Sequence, residues 1–271
     1  MRSRRRAFTL VELLVVIGII AVLIALLMPA LSKVRKHAQE VHCAANLRSI
    51  GQALTMYTQQ YGCYPGCWIY DGTATALGVN QAVWPVRLRP FLGGEQGVFL
   101  CPARDARFEW PKVPPEPGGR GRAGALHVQY GYELGEPLLS SVNRRFSYGY
   151  NAVGTNSGFD CRGLGWQVNT IDGAAPASHP GWWHERRMSR VRSPAQMIGV
   201  ADSNGDEVED YVIRAVRGGS TPGDPHRGGA NVLFCDGHVQ WHGLKDLLIS
   251  QPEFDPRDER VRRMWNSDNE P

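Results

Sequence analysis

From Leu10 to Leu27 every residue is apolar or glycine except Glu12. As a helix rising about 1.5 Å per residue, a run of that length crosses the ~30 Å hydrocarbon core of a bilayer. Beyond Pro29 the pattern becomes periodic. Val34, Ala38, Val41 and Ala45, then Leu47, Ile50, Leu54, Tyr57 and Tyr61, recur at steps of three and four. Lys33, Arg35, Lys36, Gln39, Glu40, Arg48, Gln52 and Gln59 fill the polar side. This is the stripe of an amphipathic helix, and Gly62 stands where a helix C-cap belongs. The pattern predicts one helix over 8–61, about 80 Å long, with 8–29 in the membrane. Pro29 removes a backbone hydrogen bond and crowds the carbonyl of Ala25, so a bend is expected there.

The rest, 62–250, reads as a head of short strands and long loops. Trp84–Leu92 and Gly97–Leu100 are short apolar pieces, and 109–125 and 172–181 read as loops. Ser147–Asn151 alternates as a strand does, while Met197–Ala201 and Tyr211–Val216 read as buried strands. Between the apolar runs 230–235 and 238–242, Asp236-Gly237 signals a hairpin with a two-residue type I′ turn. That register pairs Phe234 with Val239 and Val232 with Trp241, placing those four on one core face. Leu233, Cys235, His238 and Gln240 then share a second face nearer solvent. The segment 251–271 is charged and reads as a frayed tail. Taken together, the fold class is α+β, a long N-terminal helix packed on a small antiparallel sheet.

Charge changes the picture little. The formal net charge is +4, but Arg2, Arg4, Arg5 and Arg6 precede the apolar run, and without them the chain is neutral. No persistent basic face points to nucleic acid. The basic cluster should stay cytoplasmic, which places the head outside the inner membrane. Six cysteines, Cys43, Cys63, Cys67, Cys101, Cys161 and Cys235, allow fifteen full pairings that sequence cannot choose among. Only Cys63 and Cys67 form a close pair, where a zinc site would show two such knuckles or added histidines, so disulfides or free thiols are favoured over metal binding.

Glu12 is the anomaly, because a carboxylate within a membrane helix costs several kcal/mol and calls for a partner. The run Ala7-Phe8-Thr-Leu-Val-Glu12-Leu-Leu-Val-Val-Ile-Gly-Ile-Ile resembles the N-terminus of type IV prepilins and type II secretion pseudopilins. The resemblance implies a leader, 1–7, removed by a prepilin peptidase between Ala7 and Phe8, with N-methylation of the new amine. It implies assembly with other pilin or pseudopilin subunits through the N-terminal helices. Glu12 becomes the fifth mature residue and Pro29 the twenty-second, where pilins also carry a helix-bending proline. Ala7 departs from the glycine usual before the cut. The Phe8 amine of an incoming subunit would neutralise Glu12 of its neighbour, a pairing favoured in lipid.

A second set of residues resembles a family of planctomycete prepilin-like proteins. It comprises Cys43-Ala-Ala-Asn46-Leu-Arg-Ser-Ile-Gly51, Phe99-Leu-Cys101-Pro102, Ser147-Tyr-Gly-Tyr-Asn151, Ser193-Pro194 with Val200-Ala-Asp202-Ser203, and His226-x9-Asp236-Gly237. That likeness implies a secretion-type pseudopilin or pilin-like surface subunit; from the residues themselves, no enzymatic activity and no required cofactor are expected. His226, Asp236, His238 and His242 are close in sequence, yet no nucleophile signature accompanies them, and Asp236 in a turn is expected to bond its own backbone. Asp202, Asn204 and Asp206 place oxygens at alternate positions like the start of a calcium loop, and some pseudopilins bind calcium in a C-terminal loop. The helix-loop-helix pattern itself fails at Gly205 and Ile213. Trp182-Trp183-His184 reads as core edge rather than a sugar platform. The competing hypothesis is a signal-anchored extracytoplasmic binding protein that never polymerises and takes calcium or a glycan.

Overall fold

The computed structural model describes residues 10–69, 82–110, 122–139, 145–155, 162–165, 167–168, 185–205, 210–216, 220–249 and 256–270. The first element is one helix, α1, Leu10–Tyr61, which runs unbroken through Pro29. It ends as its last turn requires. Gly62 takes φ +73° and donates its N–H to the Thr58 carbonyl at 2.8 Å, closing the helix in the left-handed conformation that glycine adopts without strain.

The apolar first half of α1 has no head residues over it, and the buried face begins only at Glu40. From there Cys43, Leu47, Ile50, Leu54 and Tyr57 are buried, at helical spacing. Half of the predicted stripe is therefore displaced. Val34, Ala38, Val41, Ala45 and Tyr61 are exposed. Ala45 and Leu47 lie two residues apart, about 200° around the helix, so the periodic series changes face between them.

The chain then forms β1 (Trp68–Ile69), β2 (Ala82–Val83), the short helix α2 (Trp84–Leu88), three 3₁₀ turns between Arg89 and Phe108, and α3 (Ala125–Val128). It continues through β3 (Tyr148–Tyr150), β4 (Gln167–Val168), β5 (Ile198–Asp202), β6 (Gly229–Phe234), β7 (Val239–Gly243) and α4 (Pro256–Trp265). The apolar pieces 84–92 and 97–100 make helical turns, with Pro85 and Pro90 in first-turn positions that tolerate a missing N–H. The main sheet is antiparallel in the order β3-β5-β6-β7, and a smaller sheet runs β2-β1-β4. The predicted strands at 147–151 and 197–201 are present as β3 and β5. Tyr211–Val216 is buried but forms no strand. Its main chain makes isolated bridges: Tyr150 N–H to the Tyr211 carbonyl and Ile213 N–H to the Tyr150 carbonyl, both at 3.0 Å, and Ile249 N–H to the Ala215 carbonyl at 2.8 Å.

The hairpin lies where Asp236-Gly237 puts it, but its register is one residue off. Leu233 pairs with Val239 and Asn231 with Trp241. Only Gly237, at φ +94°, occupies the left-handed region, whereas a type I′ turn needs two such residues. The loop is therefore three residues long. Phe234 N–H bonds the His238 carbonyl at 2.9 Å, and Gly237 N–H bonds the Phe234 carbonyl at 2.9 Å. The slip exchanges the faces. Leu233 turns toward α1, while Ala230, Val232 and Phe234 turn away from it, and both faces of β6 are buried.

A second core covers that other face. Ile198, Val232, Phe234, Leu247, Val261 and Trp265 form it. The segment expected to fray thus contributes α4, with Val261, Met264 and Trp265 on its buried side. Trp265 is wholly buried and donates its Nε1–H to the Leu247 carbonyl at 3.0 Å. The charges at 256–263 outweigh this short apolar stripe in any compositional reading. On the α1 side, Gly51 meets the sheet so closely that a Cβ there would stand 2.7 Å from Leu233 Cδ1.

One ion pair latches the C-terminal end of α1. Arg87 pairs with Glu185 and with the Tyr57 hydroxyl, and Glu185 also accepts from the Cys63 thiol at 2.9 Å and the Gly66 N–H at 3.2 Å. Burial alone would raise the Glu185 carboxyl, but Arg87 and these donors hold it below its ordinary value of 4.5.

Two outcomes follow from this packing. Trp265→Ala should lose about 3–5 kcal/mol in denaturant unfolding of the detergent-solubilised chain, where a frayed tail would lose nothing. Because Glu185 is depressed, its contribution is present above pH 4.5 and disappears as pH falls through its folded value. Urea midpoints measured between pH 7 and acid should fall less steeply for Glu185→Gln than for the parent.

Candidate functional site

Four side chains from distant parts of the chain meet beside α1. Cys43, Cys101, Asp202 and His226 are all buried, and their ligand atoms lie within 4.8 Å of one another. The Cys43 thiol donates to Asp202 Oδ1 at 3.2 Å, and Cys101 Sγ stands 3.3 Å from His226 Nε2. His226 Nε2 and Asp202 Oδ2 are 3.8 Å apart.

Each member is fixed by its own element. Cys43 lies on the buried face of α1, four residues before Leu47. Cys101 is gripped from both sides by helix side chains. Asn46 Nδ2 donates to the Leu100 carbonyl and Gln39 Nε2 to the Pro102 carbonyl, each at 2.9 Å. Gln39, Cys43 and Asn46 follow the spacing of one helical face, so a single surface of α1 holds both sulfurs. Asp202 closes β5 opposite Tyr148 on β3, and its Oδ2 accepts the Asn231 N–H of β6 at 2.8 Å.

His226 precedes β6 in a tight turn. Its N–H and carbonyl bond Gly229 at 3.3 and 3.1 Å, with Arg227 at φ +53° and Gly228 at φ +74° between. Trp241 Nε1–H holds the His226 carbonyl at 2.8 Å. Arg227 covers the Trp241 ring at 5.2 Å and forms a two-pronged pair with Glu40 of α1. The turn carrying His226 is thus clipped to the helix carrying Cys43.

Electrostatics separates the four groups. The neighbouring Cys43 side chain pulls the Cys101 thiol down to about 5 against its burial, with His226 and the Ala103 N–H adding to the effect. Burial pushes the Asp202 carboxyl up to about 7, and Cys101 adds to the rise while His226 and Asn231 oppose it. Burial drives the Cys43 thiol well above its ordinary range. Burial would lower His226, but Cys101 and Asp202 raise it. A cysteine beside a histidine resembles a nucleophile pair. Here both are sealed from solvent, and the same donor set suits a cation better than a substrate.

The residues singled out from sequence are dispersed. Ala7, Phe8 and Asp206 lie outside the described residues, as does Trp182-Trp183-His184. Glu12 and Pro29 sit in the exposed half of α1. His226 enters the cluster, but Asp236 and Gly237 form the hairpin turn. There Asp236 Oδ1 accepts the His238 N–H at 3.1 Å and faces its Nδ1 at 2.6 Å. Asp202 points to Cys43 and Asn231, while Asn204 Nδ2 reaches Thr221 Oγ1 at 3.4 Å. Cys43 and Cys101 were invisible as a pair in sequence, since neither has a second ligand at knuckle spacing.

Comparison with known proteins yields one match. Residues 2–28 match the prokaryotic N-terminal methylation motif. Neither the curated proteins nor the solved structures give a match. The matched stretch covers the basic cluster, Glu12 and the whole apolar run, and it supports a type IV pilin-like protein, a precursor of the pilin or pseudopilin type.

Proposed function

We propose that this chain is a filament subunit of the type IV pilus or type II secretion pseudopilus kind. A prepilin peptidase removes 1–7 and methylates the Phe8 amine. The subunit then joins others through the first half of α1, with its head outside the inner membrane. One observation carries the reading. The methylation motif at 2–28 runs into a helix that is exposed from Leu10 to Leu31 and apolar there except at Glu12, yet continues into the head's core. A surface of that kind needs lipid or other helices around it. α1 can take both in turn, first as a membrane anchor and then as the packed axis of a filament.

Glu12 lies one helical turn from the new terminus, within reach of the cation that cleavage creates on a neighbouring subunit. The likeness around His226, Asp236 and Gly237 extends the reading to a pilin-like surface subunit whose head is the displayed part. Calcium at Asp202, Asn204 and Asp206 would compete for the carboxylate that Asp202 turns toward Cys43, and calorimetric titration of the detergent-solubilised chain with calcium tests it.

Mass analysis of the N-terminal peptide from membrane-extracted protein should find N-methylated Phe8. A terminus at Met1, in cells with an active prepilin peptidase, would overturn the proposal. Glu12→Ala should still be cleaved but should vanish from the sheared filament fraction.

A further inference from the structure

We propose that Cys43, Cys101, Asp202 and His226 bind one zinc ion as a closed structural centre that ties the head to α1. The argument stands on geometry and donor chemistry, and it is independent of how the N-terminus is processed.

In a tetrahedral zinc site, bonds of ~2.3 Å to sulfur and ~2.0–2.1 Å to nitrogen or oxygen set neighbouring ligand atoms about 3.3–3.8 Å apart. The separations Cys43 Sγ–Oδ1 of Asp202, Cys101 Sγ–Nε2 of His226 and Nε2–Oδ2 of Asp202 are 3.2, 3.3 and 3.8 Å. The first and last of these are to different oxygens of Asp202, and all four ligand atoms lie within 4.8 Å of one another, so the longer separations must shorten as the side chains close on an ion. Two sulfurs and an imidazole select a borderline-soft metal over calcium or magnesium, which take oxygen cages. Four protein donors fill a tetrahedron, and His226, the most exposed of them, is only 3 % accessible. No position is left for a water or substrate, which marks a structural centre rather than a catalytic one.

Supporting contacts are already in place. The Tyr148 hydroxyl donates to Cys43 Sγ at 3.4 Å, and the Asn231 N–H donates to Asp202 Oδ2 at 2.8 Å. Such donors orient ligands and relieve the negative charge they bring to a buried site. On binding, the ligands lose whatever protons they still hold to solvent, and the metal takes up lone pairs of the two sulfurs, the imidazole and the carboxylate without any redox change. A Cys43–Cys101 disulfide would account for the two sulfurs. It would give no role to the carboxylate and imidazole that converge on the same point, and both cysteines are free in the structure.

The decisive measurement is metal content of the full chain, purified in detergent with thiols kept reduced. One zinc per chain is expected. Cobalt added to the stripped protein should give the visible absorption of a tetrahedral thiolate site. Tyr148→Phe, which keeps the ring and removes only the donor, should weaken zinc binding about 10–100-fold. Cys63→Ser, outside the cluster, should leave it unchanged. Absence of stoichiometric zinc or cobalt uptake by the folded, reduced parent would overturn the proposal. So would a Cys43–Cys101 disulfide, found by peptide mapping, in protein taken from its own membranes.

Discussion

One stripe of α1, from Cys43 to Tyr57, has to lie against β6, and the head exists because it does. Leu47, Ile50 and Leu54 share one core with Leu233 and Val200, and the approach at Gly51 leaves no room for a side chain in front of Leu233. The sheet is then a middle layer. Its far face would be open to water without α4 and the turn at Leu247, which bring Trp265, Val261 and Ile249 over Val232 and Phe234. A strand buried on both faces needs two covers, and here they come from the two ends of the described chain. Burial on both sides makes β6 intolerant of slippage, because a one-residue shift would exchange Asn231 and Leu233 with Val232 and Phe234.

Polar contacts fix where on α1 the head sits. Glu40 and Arg227 pair at the start of the buried stripe, and Arg87, Glu185 and Tyr57 meet at its end. Pairs of this kind gain little net stability over well-packed apolar residues, while losing one partner is costly. Their value lies in position. A helix face of repeating Leu and Ile can slide by a turn at modest cost, but Glu40 and Tyr57 can find their partners in one register only.

The large features were legible because they rest on local chemistry. The apolar run, the helical period from Leu47 to Tyr57 and the glycine at 62 all act within a few residues. The strands at 148–150 and 198–202 carried their own alternation or apolar run. The rest depended on contacts no local window contains. Whether Ala45 or Leu47 faces the head is decided by what the head covers. The hairpin's place followed from Asp236-Gly237, but its register turned on whether Asp236 would also enter the left-handed region. α4 reads as a solvated segment until a hydrophobic face is there to receive Trp265. The cluster was least legible. Its four members come from α1, the turn after Phe99, the end of β5 and the entry to β6, and only folding places them together.

Where the cluster sits gives it leverage over the whole molecule. No residue of α1 before Gln39 is covered by the head, so the first half of the helix transmits its direction through a single continuous rod. The earliest side chains to grip the head are Gln39, Glu40, Cys43 and Asn46, and they hold Pro102, Arg227, the cluster and Leu100. Apolar packing farther along, at Leu54 and Tyr57, resists separation but tolerates tilting. Directional bonds at the point where the rod enters the head resist both. The angle between the head and the exposed apolar half of α1 is therefore set at Cys43 and its neighbours, one turn before Leu47 brings the main apolar packing to share the load.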